Sequence, residues 1–245
     1  MTETPANQPK LEIRIIPVTP LQQNTSMIWS TETMEGVFID PGGEVDKLMA
    51  AAEEFGVKIV AVWLTHGHMD HAGAAAAVAE RTGCPVIGPH EDDQWLLDEI
   101  ETQGAKYGIK DGKNVTPDRY LHDGDVLELA GNKFGVAHTP GHTPGHVVIY
   151  SQEGALAFVG DVLFRGSVGR TDFPRGNQQQ LIDSITSKLW PLGPQMRFVP
   201  GHGPLSTFGQ ERQDNPFVAD EVTGYQGTEK QAPDEISQKL SKRWS

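Results

Sequence analysis

The sequence predicts an α/β domain in which sheets pack together and helices cover them from outside. Three observations point there. Apolar, β-branched runs alternate with amphipathic ones in both halves of the chain. Most of these runs stop at turns built from Gly, Pro or Asp. A hydrophobic content of 37% over 245 residues is enough for one sizeable core.

Residues 1–10 are polar and contain proline, a loose lead-in. "LEIRIIPVTP" then alternates apolar and polar residues as a half-buried strand does. "NTSMIWS" and "GVFIDPGG" follow as short strands, the second closing at an Asp-Pro-Gly-Gly turn. Residues 44–55 place Val45, Leu48, Met49 and Ala52 on one helical face, and Gly56 suits the left-handed cap that ends a helix. Another strand ends at Leu64, and a helix begins near His71. "CPVIGP" reads as a strand and residues 91–103 as a helix.

After a polar stretch (104–118) the chain turns β-rich, through "DGDVLELAGNKFGVAHT", "HVVIYSQ" and "ALAFVGD". A helix around 177–189 and a strand in "MRFVPGH" complete a domain expected over residues 11–217. Residues 218–245 are expected to form a polar C-terminal tail, in which "PDEISQKLSKRW" can make a short helix with Ile236, Leu240 and Trp244 on one face.

A formal net charge of −13 argues against general affinity for nucleic acid or anionic membranes, both of which need Lys and Arg to replace counterions. A small anionic substrate is compatible with it, through a local basic pocket. Cys84 is the only cysteine, so neither an intrachain disulfide nor a thiolate metal cluster forms. The first ten residues lack the basic start and apolar core of a secretory signal, and no apolar run approaches the roughly 20 residues of a membrane span. A soluble, cytoplasmic protein is expected.

The chemistry gathers where apolar strands stop. His66, His68, Asp70 and His71 follow "IVAVWLT"; His142 lies in "HTPGHTPGH"; Asp161 follows "ALAFVG"; His202 follows "MRFVP". Strand ends on one edge of a sheet can converge, and a rigid scaffold holds the loops there. Imidazole and carboxylate without thiolate suit zinc, iron or manganese. His66 and His68, two apart in an extended turn, can share one ion, while Asp70 and His71 face the other way and can serve a second. Closed structural zinc sites are commonly cysteine-rich, so this set fits an open, water-bearing site better.

Thr65-His66-Gly67-His68-Met69-Asp70-His71 resembles the signature of the metallo-β-lactamase superfamily, and "HTPGHTPGH", "VGDVLF" and "VPGHGP" resemble its later metal-binding loops in the same order. Over about residues 12–217 the chain is similar to the hydroxyacylglutathione hydrolases (glyoxalase II) of compact bacterial type, with "GDVLFRGSVGRTDFPRGN" and "GHGPLSTFGQERQDNPF" especially alike. The resemblance implies an αββα metallo-β-lactamase sandwich, two mixed β-sheets flanked by helices, around a dinuclear centre. It implies His66, His68 and His142 on one ion, Asp70, His71 and His202 on the other, and Asp161 bridging both. His142 takes precedence over His138 and His146 because it fills the fourth position of the Thr-Pro-x-His pattern. Those two read as orienting or strand-end residues, and His90 and His122 as solvated.

The resemblance further implies two divalent metal ions, zinc foremost with iron or manganese also suited, and a small-molecule thioester substrate. S-D-lactoylglutathione would yield D-lactate and glutathione, with Asp70 orienting the attacking hydroxide. The stretch after His202 is too short for the helical C-terminal region by which longer glyoxalase II enzymes hold glutathione. Arg165, Arg170 and Arg175 are therefore the substrate-binding candidates, the alternative for them being structural ion pairs such as Arg170 with Asp172. No protein nucleophile is needed: Cys84 reads as the start of a buried strand, and "RGSVGR" lacks the strand–helix setting of a serine hydrolase elbow.

Three rivals stand beside this reading. A persulfide dioxygenase of the same superfamily would hold one iron on His66, His142 and Asp161. A β-lactamase or lactonase is the second, and a non-catalytic binding protein that keeps the fold is the third. An RNA-processing nuclease sits poorly with the charge, and the oligomeric state is left open.

Overall fold

The computed structural model describes residues 10–227. The alternating "LEIRIIPV" forms β1 (Leu11–Val18), antiparallel to β2 (Gln23–Ser30), which pairs antiparallel with β3 (Glu35–Ile39). The chain crosses through helix α1 (Val45–Phe55) to β4 (Lys58–Trp63), parallel to β3, and later to the two-residue β5 (Val86–Ile87), parallel to β4. Gly56 ends α1 in the left-handed conformation, and its N–H bonds to the carbonyls of Ala52 and Glu53. Helices α2 (Met69–Ala72) and α3 (Ala75–Thr82) follow β4, and α4 (Gln94–Leu97) and α5 (Ile100–Tyr107) follow β5.

The second sheet runs in the order β13-β12-β9-β8-β7-β6. It comprises β6 (Val126–Leu129), β7 (Asn132–His138), β8 (Val147–Ser151), β9 (Leu156–Gly160), β12 (Arg197–Pro200) and β13 (Ser206–Thr207), with β9 and β12 parallel and the other neighbours antiparallel. A separate hairpin, β10 (Leu163–Phe164) and β11 (Ser167–Val168), follows β9. Helix α6 (Gln178–Ser184) covers this sheet, and α7 (Phe208–Asp214) and α8 (Asp220–Thr223) close the described chain.

Consecutive strand residues enter different cores, which is how the layers arise. Val62 and Phe38 face the helices of the first half, with Leu48 and Leu97. Their neighbours Trp63, Val37 and Ile39 face the second sheet, meeting Phe134, Val136, Ile149 and Phe158. On the far side of that sheet Val148, Ala157 and Phe198 pack against Leu181, Ile185 and Phe208. Three apolar layers between two sheets and two helical coats make the expected αββα sandwich. Sheets buried on both faces need nearly continuous apolar strands, and this is why their sequences read as runs.

The elements depart from expectation in three places. The helix expected at 91–103 is broken into a 3-10 turn (Glu91–Asp93), α4 and α5, because Asn114 takes the Asp98 carbonyl at 2.6 Å and the ladder tightens to a Glu99-to-Leu96 bond. The helix expected to 189 continues beyond α6 as a π-type turn, Ile185–Leu189. The packed body also runs past the expected boundary at 217: Val218 is 0% exposed and α8 follows it. The helix expected in 233–244 lies outside the described residues, as does most of the lead-in at 1–10. Among the described residues no helix is long and apolar enough to cross a membrane.

Candidate metal centre

The carboxyl ends of β3 and β4 in one sheet, and of β7, β9 and β12 in the other, open onto one edge of the sandwich. Backbone bonds stitch the sheets together there. Val147 N–H donates to Thr65 O at 2.8 Å, and Asn24 N–H donates to Gly201 O at 2.7 Å. The loops that leave these ends carry every donor expected from the sequence. His66, His68 and His142 offer ligand atoms within 4.8 Å of one another, and so do Asp70, His71 and His202. Asp161 stands between the two sets, with Oδ1 3.3 Å from His71 Nε2 and Oδ2 3.8 and 3.7 Å from Nε2 of His142 and His202.

The ring orientations follow from what holds each outer nitrogen. His142 Nδ1–H donates to Arg170 O at 2.7 Å, and His202 Nδ1–H donates to Leu21 O at 3.1 Å. His71 Nδ1–H donates to Asp40 Oδ2 at 3.0 Å. Thr65 Oγ1 gives its hydrogen to Asp40 Oδ2 at 2.6 Å and therefore accepts from His66 Nδ1–H at 3.1 Å. All four rings thus aim Nε2 inward. His68 is the exception and presents Nδ1, 3.1 Å from His66 Nε2 and 3.0 Å from His142 Nε2.

Electrostatics separate the two halves of the site. Burial, reinforced by the surrounding imidazoles, pushes His66 well below the usual histidine range and His68 down to about 3. Burial also lowers His142. These three rings are consequently held neutral, the state in which an imidazole can offer a lone pair to an ion. Around His71 the balance reverses. Burial opposes a charge there, but the carboxylates of Asp161 and Asp70 outweigh it and push His71 well above its ordinary value. The pocket favours a cation at that point. Asp161 is held far below the carboxylate range, since the neighbouring His71, His142 and His202 rings overcome the cost of its burial. His71 Nε2 and Asp161 Oδ1 are buried without a hydrogen-bond partner.

Glycine makes the close approach possible. A Cβ on Gly201 would overlap Asp161 Oδ1 and the His71 ring, and one on Gly42 would overlap the Asp70 carbonyl.

Three supporting residues have roles the sequence reading did not assign. Asp40 ties Thr65 and His71 together, its Oδ1 accepting Thr65 N–H at 2.7 Å. It follows an apolar strand in "GVFIDPGG", the same signal that marked the other donors. Asp93 is fully buried and accepts from Gly67 N–H (2.9 Å), Thr143 Oγ1–H (2.7 Å) and Gly145 N–H (2.6 Å), so it joins the first histidine turn to the His142 loop. Burial raises Asp93 to about 6 against the pull of those three bonds. No pattern around "HEDDQW" announces it. Phe173 lays its ring edge-on to His68 at 5.2 Å and to His142 at 6.0 Å.

The remaining candidates divide. His146 orients, as expected for it or His138: its ring stacks on His66 at 4.7 Å and its Nε2 accepts Asp161 N–H at 3.1 Å. His122 is exposed, whereas the His90 side chain, expected to be solvated, is only 15% exposed because the His138 ring stacks on it at 4.4 Å. Arg165 is exposed. Arg170 pairs with Asp172 through two bonds of 2.9 and 2.8 Å and lies over Phe173; Arg175 lies over the Trp95 ring at 4.8 Å.

Comparison with known proteins agrees with this geometry. Residues 18–202 match the profile of the Metallo-beta-lactamase superfamily. The chain is 43% identical over 209 residues to a protein of Haemophilus influenzae named hydroxyacylglutathione hydrolase GloC, covering 85% of this chain and 98% of that one. It is 36% identical to the probable metallo-hydrolase YqgX of Bacillus subtilis, covering 84% and 96%. Among solved structures, TTHA1623 in a di-iron-bound form superposes with a TM-score of 0.75 at 40% identity, over 84% of this chain and 100% of that one. ETHE1 from Myxococcus xanthus superposes with a TM-score of 0.71 at 28% identity, over 85% and 84%. By sequence, fold and the convergence of its histidine loops, this chain belongs to the metallo-β-lactamase superfamily.

Proposed function

We propose that this chain is a metal-dependent thioester hydrolase acting on S-D-lactoylglutathione or a closely related acyl-glutathione, with two divalent ions held by the donors described above. One observation carries the reading: five histidines from both sheets turn ring nitrogens toward a shared gap that Asp161 spans. The orphaned His71 Nε2 and Asp161 Oδ1 fit such ions, as do the neutral rings of His66, His68 and His142. His66, His68 and His142 would hold one ion, Asp70, His71 and His202 the other, with Asp161 shared. Imidazole–carboxylate donors suit zinc and equally iron or manganese.

Bound in this way, paired divalent ions bring the pKa of a water toward neutrality and polarise a carbonyl. The chain's residues do the rest. Asp70, 3.2 Å from His202 Nε2 through its Oδ2, is placed to orient the attacking hydroxide. Asp40 and Asp93 hold the donor loops at a fixed distance. Phe173, edge-on to His68, offers flat apolar surface beside the site. Of the arginines expected to hold an anionic thiol carrier, Arg170 is already paired with Asp172, which leaves Arg165 and Arg175 for that role. Water adds to the thioester carbon, the carbon–sulfur bond breaks, and the thiol leaves as a thiolate. A thiol pKa near ~8.5 removes the need for a strong general acid. The relative named hydroxyacylglutathione hydrolase supports the substrate class.

The test is to count metals in the purified protein and assay S-D-lactoylglutathione beside Asp161→Ala. About two ions per chain and turnover lost by at least ~100-fold in the variant are expected. Unchanged turnover in Asp161→Ala, or no turnover of any thioester after metal loading, ends the reading. A second reading rests on the likeness to ETHE1: a persulfide dioxygenase with one iron on His66, His142 and Asp161. Oxygen uptake with glutathione persulfide, at one iron per chain and without thioesterase activity, would favour it.

A further inference from the structure

The segment that carries His202 has little stiffness of its own. Glycines flank the histidine at 201 and 203, and Gly203 is left-handed with φ 75°. A ligand has to be held to within about 0.5 Å of its working position, so the restraint on this segment must come from outside it.

Much of that restraint comes from Asn24, the second residue of β2. Its backbone N–H donates to Gly201 O at 2.7 Å. Its side-chain amide has two hydrogens, and Nδ2 reaches Pro200 O at 3.1 Å and Gly203 O at 2.9 Å. Asn24 therefore binds the carbonyls on both sides of His202. The turn just before it completes the hold: Leu21 O accepts His202 Nδ1–H at 3.1 Å, and Gln23 makes an isolated antiparallel bridge with His202. That turn is itself braced. Gln22 N–H closes it on Thr19 O at 3.1 Å, and Glu44 Oε2 accepts Thr19 N–H at 3.1 Å. Thr19 and Gln22, neither of them glycine, sit in the left-handed region at φ 63° and 54°, a conformation kept only where the surroundings demand it.

The grip is selective. Among the described residues, the bonds of Asn24 outside its own hairpin all go to this segment. The loops of His66, His68 and His142 depend instead on Asp93.

We propose that Asn24 is a positioning residue for His202, and that it sets the affinity for the ion assigned to Asp70, His71 and His202 separately from the ion assigned to His66, His68 and His142. The inference rests on the two-ion reading above. Asn24 touches neither ion in this arrangement and acts only through the path of the backbone on either side of the imidazole.

Asn24→Asp tests it, because the side chain keeps its shape while an oxygen replaces the NH2 group that faced two carbonyl oxygens. Full-length protein is stripped with a chelator and titrated with zinc by calorimetry. One ion should bind at least ~10-fold more weakly than in the unsubstituted protein, the order of one lost hydrogen bond, with the other unchanged. His202→Ala, which removes a ligand of the second ion outright, should weaken the same binding event. Asn24→Ala drops both side-chain bonds but keeps the backbone one, and it repeats the comparison should the aspartate disturb folding. Unchanged affinities overturn the proposal. An equal fall in both also overturns it, since that marks a purely structural role. A single ion in the unsubstituted protein would refute the two-ion reading instead. Amide hydrogen exchange of the metal-free protein then decides for Asn24 alone: faster exchange over residues 200–203 in Asn24→Asp supports the grip, and unchanged exchange overturns it.

Discussion

Asp93 touches none of the expected metal ligands, yet its two oxygens receive hydrogens from both loops that carry them. An asparagine fits the same space but turns an NH2 group toward N–H or O–H donors on one side, leaving a buried donor unanswered. Asp93→Asn is therefore expected to loosen both loops and weaken metal binding by about 10-fold, of the order of one buried hydrogen bond left unmade. Competition with a chromophoric chelator measures it, and an unchanged affinity would mean the loops hold without this carboxylate. At this scale the donors were legible because each sits at the end of an apolar run, beside glycine or proline. Asp40, after the apolar run of "GVFIDPGG", carries the same signal. Asp93 was not legible, because its partners, two backbone N–H groups and the Thr143 hydroxyl, lie 26 to 52 positions away in the chain.

Helix α6 shows how an element far from the chemistry positions it. Asn177 caps the helix by accepting from Gln180 N–H, and its own N–H reaches Gly141 O at 2.8 Å. Ser184 on the same helix donates to Pro140 O at 2.7 Å, so the loop before His142 is tied to α6 at both ends. Gly141 is required there, since a Cβ would collide with the Leu181 backbone. Leu181 is fully buried in the outer core of the second sheet. Leu181→Ala should cost about 2–5 kcal/mol of folding stability through the cavity it leaves. A urea unfolding midpoint unmoved by the substitution would contradict the packing described.

The strands of both sheets were readable from their apolar runs, and α1 from its periodicity and terminal glycine. The helices at 91–107 were readable only as one block, because the break at Asp98 depends on a contact with Asn114. Helix α7 was missed although Thr207 and Gln210 spell a capping signature, and Thr207 Oγ1 does accept Gln210 N–H at 3.1 Å.

For the whole molecule, the layering could be anticipated from sequence but the docking of one sheet on the other could not. That docking decides whether the donors meet. Ions that bind only the folded chain stabilise it in proportion to the logarithm of their concentration over Kd, about 4 kcal/mol at a thousandfold excess. Removing metal with a chelator is expected to lower the thermal midpoint by several degrees, and scanning calorimetry with and without added zinc checks it. Coincident transitions would show that the catalytic donors take no ion under those conditions.

The seam between the sheets has one more consequence, for the order in which the protein matures. His66, His68, Asp70 and His71 lie before the connection at 108–118, while His142, Asp161 and His202 lie after it. Cut there, neither fragment would own a complete set of ligands for either proposed ion. On those proposed sets, full coordination of either cation would have to wait until the two halves had joined.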